Sequence, residues 1–506
     1  MNGNFRICVI AAMLSWTGAA FAVATAPDAA IGLDGARHLL GRATFAAGDA
    51  DLKAYAQLSR AEAADRLLKN SGTALTPPPA WVGEAPPSPA QLQKMSQSER
   101  MAEQRRNVER AFELREWWFR EMLTTPSPLE EKMTLFWHNH FATSQQKVRF
   151  TPLMYEQNVL LRRNALGNFR TMLHEVARDP AMLIYLDGAN SRKEQPNENF
   201  AREVMELFTL GEGHYTEKDI KEAARAFTGW SVDRETGKYM FRRGIHDYGK
   251  KTVLGKTDDL EGDQVLDLLL AQPAAARFIT TKLWKEFVST ELDEKEIDRL
   301  SGVFRASGYD IGKLMRAMLT SDAFYAPENR AALIKSPVEF VIGTMKTFDI
   351  QTDNLRPFVL ASAFLGQNIF TPPNVKGWPG GDTWINSASL LGRKQLIDRL
   401  FRNEDRIDVA MRDIDAMAAR NGDLPPPGAA GRLARQMDRQ MGGIRWNLDK
   451  WSEAAVGKVD KPMPVAQLAD MTRVVLAMPP QHAVADSAMP ADWARQLVAD
   501  PAYQLK

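Results

Sequence analysis

Two of the seven histidines stand two residues apart in an aromatic run, Phe136-Trp137-His138-Asn139-His140-Phe141. On a β-strand that spacing would turn both imidazoles the same way, towards a shared metal ion. On a helix it separates them by about 200°, and joint chelation then requires unwinding near Asn139. Upstream, Ser127-Pro128-Leu129-Glu130 supplies an N-cap acceptor, a proline at the first helical position and a carboxylate three residues after the cap, which predicts the helix. His140 then shares the face of Leu129, Met133 and Phe136 and points inward, where a histidine is more often hydrogen-bonded than metallated, while His138 points elsewhere.

A denser constellation follows at residues 196–208. At 100° per residue, Phe200, Val204, Leu207 and Phe208 form an apolar stripe, and Asn199, Glu203 and Glu206 fall within about 60° of one another along its edge. A carboxylate beside a buried seam is partly desolvated, which raises its pKa towards general-base use or favours a cation. The competing reading is a surface ion-pair ladder, since Glu198, Arg202 and Glu206 stand at i, i+4 and i+8. Glu203 has no opposite charge at i−4 or i+4 and is the stronger chemical candidate. Asn197, Asn199 and Arg202 complete the motif.

His246-Asp247 lies in a glycine-punctuated stretch, where both side chains can reach one ion or the aspartate can orient an imidazole, although such a pair is usually structural. Trp378 and Trp384 sit in a Pro/Gly-rich loop, placed to stack on a sugar ring if exposed or to anchor the loop if buried. The candidate chemistry is therefore a divalent metal ion held by His138, His140, His246 and Asp247, with Glu203 or Glu206 as base on its water. No phosphate-binding glycine loop, Gly-x-Ser-x-Gly elbow or His-Glu-x-x-His helix is present, so nucleotide-dependent, serine-hydrolase and zincin chemistries lack support.

The elements that must position these residues are mostly helices. The 506 residues are 44% hydrophobic, enough for a sizeable core, and alternating β-branched runs are scarce. The expected fold is mainly α: a large multi-helix globular body with irregular Gly/Pro/Trp-rich loops and at most a small β-hairpin. Ser336-Pro337-Val338-Glu339 repeats the cap of Ser127, and Thr216 with Asp219 is a weaker version. A Pro-rich insertion at residues 76–89 is expected to run over the surface, outside the core, before an amphipathic helix at 101–123. Residues 230–260 read as an irregular loop or small hairpin, and a helix begins near Ser387. Residues 403–506 form a C-terminal helical extension packed on the main body.

Lys plus Arg total 64 against 63 Asp plus Glu, so no global field invites nucleic acid. The single cysteine, Cys8, lies in an uncharged stretch after Arg6 that leads to Ala20-Phe21-Ala22, the pattern of a cleaved signal peptide over residues 1–22. The expected location is periplasmic or secreted, and the mature chain has neither a thiol nor a segment of about 20 apolar residues to span a bilayer.

Taken in order, residues 36–45, 136–141, 196–213 and 215–230, His246-Asp247 and residues 375–393 resemble the family catalogued as domain of unknown function 1800, large, mostly helical, commonly exported bacterial proteins. The resemblance covers about residues 33–400. It implies an envelope function paired with a secreted protein of alkaline-phosphatase or sulfatase-like character encoded nearby, and no assigned activity. Two readings follow: an envelope accessory or scaffold acting with that partner or a glycan, and a periplasmic metal-dependent hydrolase using the His/Asp/Glu set.

Overall fold

The computed structural model describes residues 29–69, 72–401, 446–482 and 487–506. Residues 1–22, where a signal peptide is expected, and all of residues 402–445 lie outside the described residues. The chain is mainly helical, and the described residues include three short two-stranded antiparallel ladders. The helices that matter for the motifs are α1 (Gly32–Ala43), α2 (Gln97–Thr124), α3 (Pro128–His140), α4 (Thr151–Arg163), α5 (Glu198–Glu203), α6 (Glu217–Ala226), α7 (Pro273–Phe287), α8 (Pro337–Thr347), α9 (Arg356–Phe364), α10 (Ser387–Phe401) and α11 (Pro490–Ala499).

Local sequence explains where several of these begin. Ser336 and Thr216 each accept a backbone N–H at N3 while the N3 carboxylate returns to the cap backbone, so both capping boxes are complete. Helix α3 starts at Pro128, but the Ser127 side chain makes no cap bond. The carboxylate of Glu130 is turned away from the cap and accepts the Gly72 N–H at 2.7 Å. Helix α2 begins earlier than its apolar pattern indicates, because Ser96 and Glu99 form a capping box of their own.

Two apolar clusters make the core. One gathers Trp137, Phe141, Phe169, Phe208, Leu283 and Phe304. The other gathers Trp118, Phe340, Phe358, Leu400, Trp493 and Tyr503. Helix α3 feeds both, Met133 and Trp137 on one side and Leu135 on the other, so its side chains from Leu129 to His138 are buried whichever way they point. Glu131 is one of these, and it is paired with buried Arg162 of α4 and accepts the Trp118 indole N–H at 2.8 Å. Such a charge is tolerable in an interior because its partners satisfy it.

The Pro-rich segment departs from expectation. It runs along α2, but Trp81 is buried in the second cluster and donates its indole N–H to Glu113, and the Glu121 carboxylate accepts the N–H groups of Leu75 and Thr76. An isolated tryptophan among prolines thus seals a core edge. The C-terminal segment is tied in equally closely: Leu505 bridges Ile334, Lys335 N–H donates to Gln504, and the Tyr503 hydroxyl shares a hydrogen bond with Thr344 at 2.7 Å. Residues 230–260 form two ladders, Trp230–Val232 with Tyr239–Phe241 and Lys251–Val253 with Lys256–Asp258. Among the described residues no helix is long and apolar enough to cross a membrane.

Candidate functional site

Helix α3 continues unbroken through Asn139, so its two histidines diverge and meet different parts of the chain. The His138 Nε2 accepts the Phe370 N–H at 2.9 Å, with Trp118 and Phe370 edge-on to the ring. Burial, with Arg115 nearby, pushes its pKa down to about 3. His140 faces the opposite way: its Nε2 reaches the Phe208 carbonyl at 3.2 Å and its Nδ1 the Lys282 ammonium of α7 at 2.9 Å. Burial, then the Lys282 charge, hold that imidazole neutral. Lys282 is itself pushed down to about 8 by burial.

Asn139 clamps the Pro/Gly-rich loop between them. Its Nδ2 donates to the Trp378 carbonyl at 3.1 Å and its Oδ1 accepts the Trp378 N–H at 2.7 Å. The preceding Gly377 has φ +78°, and a Cβ there would lie 2.2 Å from Asn139 Oδ1 and 2.5 Å from its carbonyl oxygen, so the close approach requires glycine. Both tryptophans of the loop are buried, and the Trp384 carbonyl accepts the Ser389 hydroxyl at 2.9 Å. Neither indole is presented for stacking on a glycan, which removes the sequence basis for that partner.

In residues 196–213 the pitch changes. Asn197 caps α5 by accepting the Asn199 and Phe200 N–H groups, and both asparagines donate to the Leu186 carbonyl at 3.2 and 3.3 Å. At Glu203 the α-helix gives way to a π-helix, Val204–Thr209, in which Leu210 N–H reaches back five residues to Met205. The Thr209 hydroxyl closes on the Val204 carbonyl at 2.6 Å. Uniform 100° spacing therefore fails beyond Glu203, and Glu206 turns to the Tyr215 hydroxyl at 2.9 Å and to Lys376, 3.6 Å away. Lys376 stands equally far from Glu212. This links the helix motif to the loop motif.

The expected ladder is weak at its first rung and absent at its second. Arg202 stands 4.0 Å from Glu198 but forms its close bonds, 2.6 and 2.8 Å, with Glu217 of α6. Glu203 is half-buried and has no hydrogen-bond or ion-pair partner among the described residues. Burial, and then the charge of Glu206, raise its pKa. That disposition suits proton exchange at the rim of the motif cluster.

His246 and Asp247 belong to a separate junction. The His246 Nδ1 contacts the Thr228 carbonyl at 2.6 Å, the Thr228 hydroxyl accepts the Asp247 N–H at 2.8 Å, and the Arg225 guanidinium holds both Asp247 oxygens at 2.8 and 3.2 Å. Arg225 accordingly keeps the Asp247 carboxyl below its ordinary range. Among the described residues no three His, Cys, Asp or Glu side chains are grouped so as to hold a metal ion. His138, His140 and the His246-Asp247 pair are thus not gathered into one ligand set, because His138 is committed to Phe370, His140 to Phe208 and Lys282, and His246-Asp247 to residues 225–228.

The structure adds Asn139, Tyr215, Lys282 and Lys376 to the cluster. Lys376 and Tyr215 fall inside recognisable motifs, whereas Lys282 has no local signal in its helix. Residues 38–505 match the family model described as Protein of unknown function (DUF1800), so the match continues past residue 400 to the C-terminal segment. No curated protein and no solved structure matches the chain.

Proposed function

The chain belongs to the DUF1800 family, and we propose that it is an exported accessory or scaffold protein of the envelope that works with a secreted partner. What supports this reading is one recurring observation: the polar motif residues fasten segments distant in sequence. His138 ties α3 to Phe370, Asn139 ties it to Trp378, His140 ties it to Phe208, and His246-Asp247 tie the first ladder region to the end of α6. Side chains so engaged brace a rigid body and are not disposed to bind and release a substrate. Export is inferred from the apolar segment preceding Ala20-Phe21-Ala22.

A hydrolytic reading keeps one specific observation, the unpartnered Glu203 beside Glu206. It would use these carboxylates in acid-base chemistry, without the four proposed metal ligands acting together.

The test is purification from the envelope fraction of the native host, without a metal-affinity tag. The accessory reading expects removal of residues 1–22, a substoichiometric metal content and co-purification of a secreted partner. Retention of Met1 would refute export. A stoichiometric metal lost together with a hydrolase activity on Glu203→Gln substitution would replace the accessory reading with the enzymatic one.

A further inference from the structure

Five charged side chains alternate in sign along the seam between two helices that carry none of the motif residues, Phe169–Ala177 and Gly262–Ala271. Arg170, His174 and Arg178 stand at i, i+4 and i+8 on the first helix and its C-cap, and Asp263 and Asp267 at i and i+4 on the second, so each set shares one face. Arg170 meets Asp267 at 2.7 Å, and Asp267 meets the His174 Nε2 at 2.9 Å. The His174 Nδ1 meets Asp263 at 3.2 Å, and Asp263 pairs in turn with Arg178.

The far end of this ladder is tied to an aromatic pair. The Arg178 guanidinium lies over the rings of Trp230 and Tyr239, 5.6 and 5.8 Å from their centroids. Gly262, at the start of the second helix, is seated against the same indole: a Cβ there would stand 2.3 Å from Trp230 and 2.8 Å from Phe227. The ladder therefore fastens the first turn of Gly262–Ala271 both to its neighbouring helix and to the first strand pair.

Surface ion-pair ladders of fixed charges contribute little, but the central rung of this one has an optional charge. A neutral imidazole carries one N–H and one lone pair, whereas an imidazolium donates from both nitrogens. With a carboxylate at each nitrogen, only the charged ring satisfies both. The hydrogen bond to Asp263 and then that to Asp267 raise the His174 pKa against the opposing effect of burial. The two arginines stay charged throughout.

The other ionisable groups around the helix are committed elsewhere. On α4, Arg162 is paired with Glu131, and Arg163 and Asn164 take Glu175 at 2.8 and 2.6 Å. Burial holds Tyr239 above its ordinary value, beyond the range of a histidine. Asp179 turns to Gln157 and the Met182 N–H, and burial pushes it up to about 7. It shares the histidine range, so the experiment has to separate the two.

We propose that His174 is a proton-operated latch: protonated, it bridges Asp263 and Asp267, and deprotonated, it releases one of them and lets the start of Gly262–Ala271 lift from Trp230. The proton passes to water, which reaches the partly exposed ring and both carboxylates. Because the folded-state pKa is raised, the latch is fully closed below the ordinary histidine pKa of about 6.5 and opens as pH rises through the raised value. His138 and His140, whose values are lowered, respond in the opposite sense.

Two measurements on the whole chain test this. In a histidine-labelled sample, the NMR titration of the His174 ring, assigned by its loss in His174→Gln, should have its midpoint above about 6.5. Hydrogen exchange of residues 262–271, corrected for the intrinsic pH dependence of amide exchange, should lose protection between about pH 6 and about pH 9 by tenfold for each unit of that displacement. His174→Gln leaves Asp179 in place and should abolish the part of the loss due to the latch. His174→Lys keeps a charge up to about pH 10 and should hold protection at about pH 9 near the wild-type value at about pH 6. A midpoint at or below about 6.5, an equal loss of protection in wild type and His174→Gln, or a full loss in His174→Lys would each overturn the proposal. The wild-type midpoint decides the matter even if a variant fails to fold.

Discussion

Replacing Asn139 with alanine removes both hydrogen bonds that hold the Trp378 backbone. Each is worth about 1 kcal/mol net. They are partly buried, so water can replace them in the opened state, and the expected loss is about 2 kcal/mol, confined to the loop. That corresponds to roughly a 30-fold increase in local opening, at about 1.4 kcal/mol per factor of ten. Hydrogen-deuterium exchange across residues 372–386 reads this directly, and residues 273–287 of α7 serve as the unperturbed reference. Gly377→Ala should open the same loop by at least as much while leaving Asn139 in place, because its Cβ would collide with Asn139 in a left-handed backbone conformation. Asn139→Asp should behave differently. An ionised Asp would place an oxygen against the Trp378 carbonyl at a helix C-terminus, whereas a protonated Asp can donate to it. The folded-state pKa of the new carboxyl is therefore raised. Protection should be near wild type below the unfolded carboxyl pKa of about 4 and be lost as pH rises through the raised value. Unchanged exchange at 372–386 in Asn139→Ala, or equal acceleration in α7, would refute the clamp.

Acid should destabilise the protein through its buried histidines. His38 and His138 are each pushed down to about 3, principally by burial, and His140 is held well below its ordinary value. The unfolded chain takes up protons below about pH 6.5 where the folded chain does not, so each histidine costs up to about 1.4 kcal/mol per pH unit. Urea midpoints should fall between about pH 7 and about pH 5, and a flat profile would contradict the assignment. Glu203→Gln should be neutral or stabilising at neutral pH, by no more than about 1 kcal/mol, because it removes a charge whose pKa is raised by burial and Glu206 and breaks no hydrogen bond. The difference should vanish at pH values below the unfolded carboxyl pKa, and a large loss in denaturant titration would show that Glu203 braces a junction after all. Arg202→Ala should cost only about 0 to 1 kcal/mol in thermal melts, since its pairs with Glu217 and Glu198 lie at the surface.

The parts of the fold that were legible were those decided within a few residues. The caps at Ser336 and Thr216 and the starts of α3 at Pro128 and α10 at Ser387 follow from local donors, acceptors and backbone preferences. What escaped sequence was decided by packing at long range. Trp81 is buried because α2 passes beneath it and offers Glu113, a residue 32 positions away. No capping box forms at Ser127: its N–H goes to the Thr125 hydroxyl, and the Glu130 carboxylate accepts the N–H of Gly72, 58 positions upstream. The α-to-π change at Glu203 is of the same kind: 100° spacing assumes one pitch, and nothing in the side-chain pattern marks where an extra residue enters a turn.

Why residue types and spacing leave the role of a polar side chain undecided is shown by the histidine pair. Spacing can say that His138 and His140 leave a helix in different directions, but the role of an imidazole depends on what its two nitrogens meet. His138 accepts the Phe370 N–H at Nε2, which places its proton on Nδ1. His140 accepts the Lys282 ammonium at Nδ1 and donates from Nε2 to the Phe208 carbonyl, the opposite tautomer. A metal shared by the two would take the acceptor of the Phe370 N–H and displace the Lys282 ammonium, leaving both buried groups unsatisfied, each at a cost of about 1 to 3 kcal/mol or more. The same accounting separates Glu203 from the rest of its helix. Asn197, Asn199, Arg202 and Glu206 would each leave a partner behind if they turned to a ligand, whereas Glu203 would leave none. Within the motif cluster, Glu203 is therefore the polar side chain whose engagement with a substrate or partner breaks no internal bond.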